Sequence, residues 1–374
     1  MSRPQIIVNV TGALPRRGDP TPTGTCFMVY AGADGPAVPT KCLSSADATA
    51  ANVPDTVAAL VGDALEQGAP LVVIVRAAAA NVAAVTEAEW TAGLRKLTKD
   101  HGPGQVCIPG VTTAAAYAAL IDHAEEFDER AVLLDTPAVV VTATTAAAAA
   151  GLNAAAGSIR ASMVGPWVTV PGPGGTTRDV PASVIAAGLA ARGDAAVGHT
   201  NHAPIFDQGR DVGLVRRGLG VTTVFSDVDA DTLYDAGVNL IRLRNGKPTL
   251  TGWRSLSDDD TFRQFNVGRL AMSLVTSMSG VMLAFLGRQI DGRGQLFAEI
   301  EGAIRGVLLG LYSAGALYGE APDDAFDADC SFANNPAETI ALGQVHAAAE
   351  VAATAHTERI TIAVVTAVAE GAAA

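Results

Sequence analysis

Residues 53–192 switch hydrophobic period again and again, and this alternation limits the fold more than any other feature of the chain. Residues 71–76 read LVVIVR, an unbroken β-branched run of the kind buried on both faces of a sheet. TEAEWTAGLRKLTKD follows as a helix, with Thr86 as N-cap and Glu87 and Glu89 in its positive first turn. Strand QVCIPG, helix TTAAAYAALIDHAEEF, strand RAVLLDTP, helix TATTAAAAAGLNAAAG and the extended ASMVGPWVTV continue the pattern. Short apolar strands separated by helices predict a mostly parallel sheet covered on both faces, an α/β body within a chain that is α+β overall.

PGPGGTTRD breaks the pattern as an exposed loop, and VPASVIAAGLAARGD restarts it as a helix ended by Gly193. AVGHTNHAPIFDQGRDVG lacks any period and reads as a long ordered loop; DADTLYDAG reads as a short helix. VNLIRLR, the turn NG and KPTLTGW form a hairpin. Ser257, Asp258, Asp259 and Asp260 are expected to open a long helix reaching about Arg288, with Phe262, Phe265, Leu270, Leu274, Met278, Val281 and Phe285 on its apolar face. A second helix, GQLFAEIEGAIRGVLLGLYSAGAL, and two β-rich segments, QVHAAAEVAA and ERITIAVVTAVA, close the chain.

At 374 residues the chain is long enough for two or three domains. Its cores must be built from many small contacts, because 49% of residues are hydrophobic and only 5% aromatic. A net charge of −13, with no run of Lys or Arg, argues against direct nucleic-acid binding. Cys26, Cys42, Cys107 and Cys330 form no C-x-x-C pair, so zinc and a redox dithiol are not expected and reduced, intracellular synthesis fits. The apolar stretch at the N-terminus is too short for a signal peptide. Residues 270–287 are uncharged and reach the lower length limit of a spanning helix, but their serines and threonine favour a buried bundle helix and no membrane insertion.

Four groups invite a functional reading. Asp323, Asp324, Asp327, Asp329 and Cys330 could hold calcium, yet the EF-hand spacing is missing, and strand alternation would turn Asp327 and Asp329 outward and Phe326, Ala328 and Cys330 inward. His199 and His202 have a metal-ligand spacing but sit in a loop without a third ligand. GPGGTT lacks the ending of a phosphate loop and reads as a turn. Asp135, at the end of an apolar strand, could serve a hydrolase with His199 and Ser183, although no G-x-S-x-G elbow exists. No metal or cofactor is expected from these patterns, and a ligand-binding protein using the PGPGG loop ranks third.

The order of the motifs in the C-terminal third resembles the tail sheath family of contractile bacteriophage tails and related contractile injection systems. The resemblance rests on GVNLIRLRNGKPTLTGWRSL, on FRQFNVGRLAMSLV with Asn266, Val267 and Arg269, and on Gly319, Pro322, Ala325, Phe326, Cys330, Asn334 and Asn335. Pro181, Ser183, Ala187, Gly188, Ala191, Arg192, Asp194, Ala203 and Pro204 extend it through the middle, and PTPTGTCFMVYAGADGP through the start. Ser255 replaces the usual Thr, the chain is short for the family, and the usual Pro-Gly-Val-Tyr-type arm is missing.

The resemblance implies a non-enzymatic structural subunit that polymerises as stacked hexameric rings around an inner tail tube and contracts to drive the tube through a target envelope. It also implies baseplate and tail-terminator partners, strand exchange between copies, and residence in a virion tail used for genome ejection, with assembly in the host cytoplasm. It divides the chain into an N-terminal arm and first strand (1–25), a central α/β domain (26–220), a C-terminal sheath domain (221–356) and a C-terminal arm strand (357–374). The Asp-rich element would then belong to a domain beside the tube, and Arg242, Arg244 and Arg254 near the hairpin would face an acidic tube surface. Ile6, Val8 and Val10 share one strand face, as do Ile360, Ile362 and Val364, which suits strands added to a neighbour's sheet. Burying such a residue yields about 1.5–3 kcal/mol, while ordering each backbone unit costs about 1–2 kcal/mol. Both arms are therefore expected to order only on polymerisation.

Overall fold

The computed structural model describes residues 23–78, 81–138, 157–206 and 211–358. The arm residues Ile6, Val8, Val10, Ile360, Ile362 and Val364, and most of the segment TATTAAAAAGLNAAAG, lie outside these ranges. The first described stretch carries β1 (Thr25–Ala31), β2 (Thr40–Cys42), α1 (Ser45–Ala50), α2 (Asp55–Gln67) and β3 (Val72–Ala78). The second carries α3 (Glu87–Leu94), β4 (Gly104–Cys107), α4 (Ala114–Glu126) and β5 (Arg130–Asp135). Next come β6 (Ala161–Gly165), β7 (Val168–Pro171), β8 (Thr177–Val180) and α5 (Ala182–Ala196). The last stretch holds β9 (Gly220–Val221), α6 (Asp227–Asp235), β10 (Val238–Arg244), β11 (Lys247–Leu250), α7 (Phe265–Met282) and α8 (Gln295–Ser313). It ends with α9 (Pro322–Ala325), β12 (Phe326–Asp329), α10 (Ala337–Ala341) and β13 (Ala348–Val351).

Eight strands form one sheet in the order β11-β10-β6-β5-β4-β1-β3-β2. The six inner strands run parallel and the two outer ones, β11 and β2, antiparallel. Alternate residues of β1 split between two cores: Cys26, Met28 and Tyr30 pack with α2 and α5, and Phe27 and Val29 with α3 and α4. Small residues make this possible. Gly188 of α5 faces α2 so closely that a Cβ would collide with Gln67 and the Ala64 carbonyl, so the two helices pack backbone to backbone. Helix α3 starts at Thr86 as the sequence indicates, with a complete capping box: Thr86 Oγ1 accepts from the Glu89 amide at 3.3 Å and Glu89 Oε2 accepts from the Thr86 amide at 2.8 Å.

Two helix boundaries differ from the sequence reading. Helix α5 runs through Gly193 and ends at Ala196, because that glycine serves a close approach of Ile205 rather than a C-cap. The long helix opens at Phe265, not at Ser257. Ser255 holds the chain back: its amide donates to the Arg263 carbonyl at 3.0 Å and its hydroxyl to the Phe262 carbonyl at 2.6 Å. Asp258–Asp260 are left on an exposed bend, where Asp259 accepts from the Thr261 amide at 2.8 Å.

The hairpin β10–β11 forms with Asn245 (φ 50°) and Gly246 (φ 76°) at its turn. It completes the main sheet, pairing Val238 with Met163 and Leu240 with Gly165, so residues 221–256 pack with the central body. Beyond Phe262 a third core gathers α7, α8 and the two-stranded sheet β12–β13. Helix α7 lies between the bodies: Leu270, Leu274 and Met278 face α8, while Phe265 turns to the sheet body and meets Trp253 edge to face at 4.8 Å. Burial on two sides explains an apolar helix of membrane-spanning length as a core helix.

Candidate functional site

Asp135 and Ser183 do meet. The carboxylate is buried at the end of β5; Oδ1 accepts from the Ser183 amide at 2.7 Å, and Oδ2 accepts from the Ser183 hydroxyl at 2.6 Å and the Gly110 amide at 2.8 Å. Burial pushes its pKa up to about 6, against the pull of those hydrogen bonds. The chemistry is that of a helix cap. Pro181 precedes α5 and makes no side-chain cap, so Asp135 reaches across to serve the first free amides and the positive end of the helix.

His199 does not join this pair. It lies past the end of α5, its amide donating to the Asp194 carbonyl at 2.7 Å and its carbonyl accepting from Ser273 Oγ at 3.3 Å. Ser183 is fully buried with its hydroxyl directed at Asp135, so it has no histidine beside it and is closed to a substrate. The ends of β4 and β5, near the point where strand order reverses, are where α/β enzymes admit ligands. Here Trp167 and Pro181 pack against Gly110 closely enough that a Cβ there would lie 2.9 Å from the indole. The hydrolase reading of Asp135, His199 and Ser183 is overturned.

His199 and His202 do not form a metal pair either. His202 Nδ1 lies 2.6 Å from Thr200 Oγ1 and its ring stands 6.2 Å from that of His356. Among the described residues no group of three or more His, Cys, Asp or Glu is arranged to hold a metal. The Asp-rich element behaves as alternation requires: Phe326, Ala328 and Cys330 are buried and Asp327 is exposed. Asp324 accepts from the Ala321 amide at 3.1 Å, and Asp327 pairs with Arg305 at 2.6 Å. Asp329 receives the Ser331 amide at 2.8 Å and Asn334 Nδ2 at 2.9 Å. Asn335 grips His346 at both backbone atoms, at 2.8 and 2.6 Å, which holds the chain that leads into β13.

What the fold does bring together is the two ends of the described chain, both on the first turns of α7. At the amino side, Thr23 Oγ1 lies 2.9 Å from Asp194 Oδ2 and 2.8 Å from Asn201 Oδ1. Asp194 is gripped by both terminal nitrogens of Arg269, at 2.9 and 2.6 Å, and both residues of this ion pair are essentially inaccessible to water. At the carboxyl side, Gln264 donates to the His356 carbonyl at 2.8 Å and accepts from the His356 amide at 3.1 Å. Asn266 Nδ2 donates to the His202 carbonyl at 2.8 Å and stands 3.3 Å from His356 Nδ1.

Arg254 completes the carboxyl side. It pairs with Glu358 at 3.2 Å and Asp235 at 3.3 Å, donates to the Tyr234 carbonyl at 3.0 Å, and lies 3.6 Å over the Tyr234 ring. Arg254 is thus used inside the chain and largely buried. Arg242 pairs with Asp227 at 2.6 Å, and Arg244 is exposed at the hairpin. The motif residues Asn266 and Arg269 were visible in the sequence without a role; Thr23, Gln264 and Glu358 were missed, since no local spacing links residues so far apart.

No family model matches the chain and no curated protein sequence does. Solved structures do. A chain in the cryo-EM structure of the anti-feeding prophage baseplate, 6-fold symmetrised, superposes with a TM-score of 0.76 at 18% identity, covering 98% of this chain and 100% of that one. A chain of the sheath complex of the extracellular contractile injection system PVC, in its contracted state, gives 0.74 at 17% identity and 98% of both chains. The sheath tail protein of Desulfitobacterium hafniense gives 0.57 at 12% identity, with 87% and 93% covered. The chain thus shares the fold of these contractile-particle chains.

Proposed function

We propose that this chain is a structural, non-catalytic subunit of a contractile sheath, which assembles with copies of itself and attaches to a baseplate. The carrying observation is the full-length likeness to sheath and baseplate chains of injection particles, with nearly all of both chains covered. The convergence of both chain ends on α7 supports it. Strands that leave one body from neighbouring roots can link that body to its neighbours while the bodies themselves turn, a hinge-like change.

The finer assignments belong to the same proposal. Stacked hexameric rings surround an inner tube, a terminator closes the distal end, and the arms with Ile6, Val8, Val10, Ile360, Ile362 and Val364 exchange between copies. Arg242, Arg244 and Arg254 are the tube-facing candidates. Residues 26–220 form the central domain, 221–356 the sheath domain near the tube, and 1–25 and 357–374 are the arms. The likeness to chains of the anti-feeding prophage and PVC particles supports an injection particle.

Negative-stain electron microscopy of the purified chain over a concentration series tests this. Hollow, cross-striated tubes are expected, alone or on addition of the tube protein. Uniform small particles under both conditions would overturn the reading.

A further inference from the structure

A cavity of about 330 Å³ beside α2 takes no part in either chain-end root. It is lined by Asp63, Glu66, Gln67, Arg178, Arg216 and Arg217 among others. Arg178 forks onto Asp63 at 2.6 and 2.5 Å, so that pair is internally neutral. Gln67, itself buried, holds Arg216 by both backbone atoms: its Nε2 donates to the Arg216 carbonyl at 3.0 Å and its Oε1 accepts from the Arg216 amide at 2.8 Å. Arg216 Nη1 also donates to the Glu66 carbonyl at 3.1 Å.

The clamp has a consequence for the next residue. Arg217 is held at φ 57°, in the left-handed region that side chains other than glycine seldom occupy, and such geometry persists where its surroundings over-determine it. Among the described residues Arg217 is exposed and has no ion-pair partner. Three guanidiniums against two carboxylates make this wall cationic on a chain whose net charge is −13.

The complementary feature is Asp258–Asp260, three consecutive exposed aspartates. Several exposed acids elsewhere are engaged, Asp227 with Arg242, Asp327 with Arg305, and Asp229, Asp324 and Asp329 with nearby backbone amides or side chains, and none of the others described forms a run of three. In the run itself Asp259 caps Thr261 and Asp260 lies 3.8 Å from Arg263, while Asp258 has no ion-pair partner among the described residues. The Leu256 amide ties this bend to Ala161 at the start of β6, whereas the cavity stands beside α2, which packs on β3. Strands β5, β4 and β1 separate β6 from β3, a span of roughly 19 Å at about 4.8 Å per strand, so run and cavity cannot meet within one chain.

We propose that the pocket of Arg178, Arg216 and Arg217 receives Asp258–Asp260 of a second copy of this chain, an inference that rests on the self-assembling sheath reading. Two different patches joined in this way make a head-to-tail contact, which closes a ring or propagates a helix. Guanidinium forks suit carboxylates, and the clamped Arg216–Arg217 backbone presents them without a large ordering cost.

The test titrates a fluorescent peptide of residues 254–264 into the full chain, beside the same peptide with Asn at 258, 259 and 260. Saturable binding of the acidic peptide only is expected, weakened roughly tenfold by Arg217→Glu and by added salt, and unchanged by Arg244→Glu. Absence of saturable binding, or equal binding to a folded Arg217→Glu chain, overturns the proposal. In the polymer, Arg217→Glu and Asp258→Arg should each impair assembly and their combination restore it; a wild-type-like Arg217→Glu polymer also overturns the pocket and leaves the sheath reading standing. Arg217-dependent peptide binding by a chain that never polymerises would sink the sheath reading instead.

Discussion

Thr23 and His356 lie near the two ends of the described residues, and both lean on the start of α7, but through different chemistry. The amino root is a dry ion pair, Asp194 with Arg269, sealed among Trp253, Asn201 and Thr23. The carboxyl root is a set of partly buried contacts, in which the buried Asn266 and Arg254 and the half-buried Gln264 meet the more exposed His356 and Glu358. A buried pair adds little net stability, because desolvation offsets attraction, but it leaves few alternative arrangements and is costly to break from one side. Half-exposed hydrogen bonds exchange with water and open locally. The amino root is therefore a permanent fixture, and the carboxyl root is the releasable one.

Arg269→Leu should have the largest effect, since it leaves the buried Asp194 without its cation: a loss of about 3–5 kcal/mol, read from the urea midpoint. Replacing both Asp194 and Arg269 by Leu should recover most of it. Recovery would confirm that the pair specifies position more than it stabilises; a loss below about 1 kcal/mol for the single variant would remove the contrast between the roots.

The next effect concerns the other end of the same helix α5. Asp135 titrates near 6 in the fold against an ordinary 3.8, so the fold prefers its protonated form. Its contribution is fully present below about pH 4 and is lost as pH rises through about 6, some 3 kcal/mol in all. His123, held down to about 3 by burial and by Arg130, acts in the opposite sense, losing stability as pH falls below its unfolded value. The readable quantity is therefore the wild-type minus Asp135→Asn difference, which should change across pH 4–6; a flat difference would mean that the capping hydrogen bonds fully offset the cost of burial.

At the carboxyl root, Gln264→Ala should cost about 1 kcal/mol locally. Hydrogen exchange should quicken at residues 354–358 with little change in Tm; a global loss of stability would mean that this root is as permanent as the other. Smallest of all, Arg242→Ala should stay within about 0.5 kcal/mol, because its partner Asp227 is well exposed. A larger loss would show that the hairpin edge is held by that pair.

The parallel body was legible because a buried strand such as LVVIVR and a capped helix such as the one at Thr86 are written in consecutive residues. The outward and inward faces of Phe326–Asp329 were legible for the same reason. The start of α7 was not: an acidic Ser-Asp-Asp-Asp stretch is a good helix opening by local rules, and only the long-range grip of Ser255 on Phe262 and Arg263 turned it into a bend. Nor did the sequence distinguish Asp135 as cap from Asp135 as catalytic acid, since both uses want a carboxylate at a strand end.

By itself the sequence determined the alternation that builds the sheet, the two-sided burial of its strands, the hairpin turn at Asn245–Gly246 and the acidic surface. Tertiary structure alone decided that the hairpin joins the main sheet, that Asp135 serves α5, and that Thr23 and His356 share α7. The physical reason is range. Periods, caps and turns act over a few residues along the chain, whereas Asp194–Arg269, Gln264–His356 and Gln67–Arg216 exist only where packing has brought distant backbone to hydrogen-bond distance.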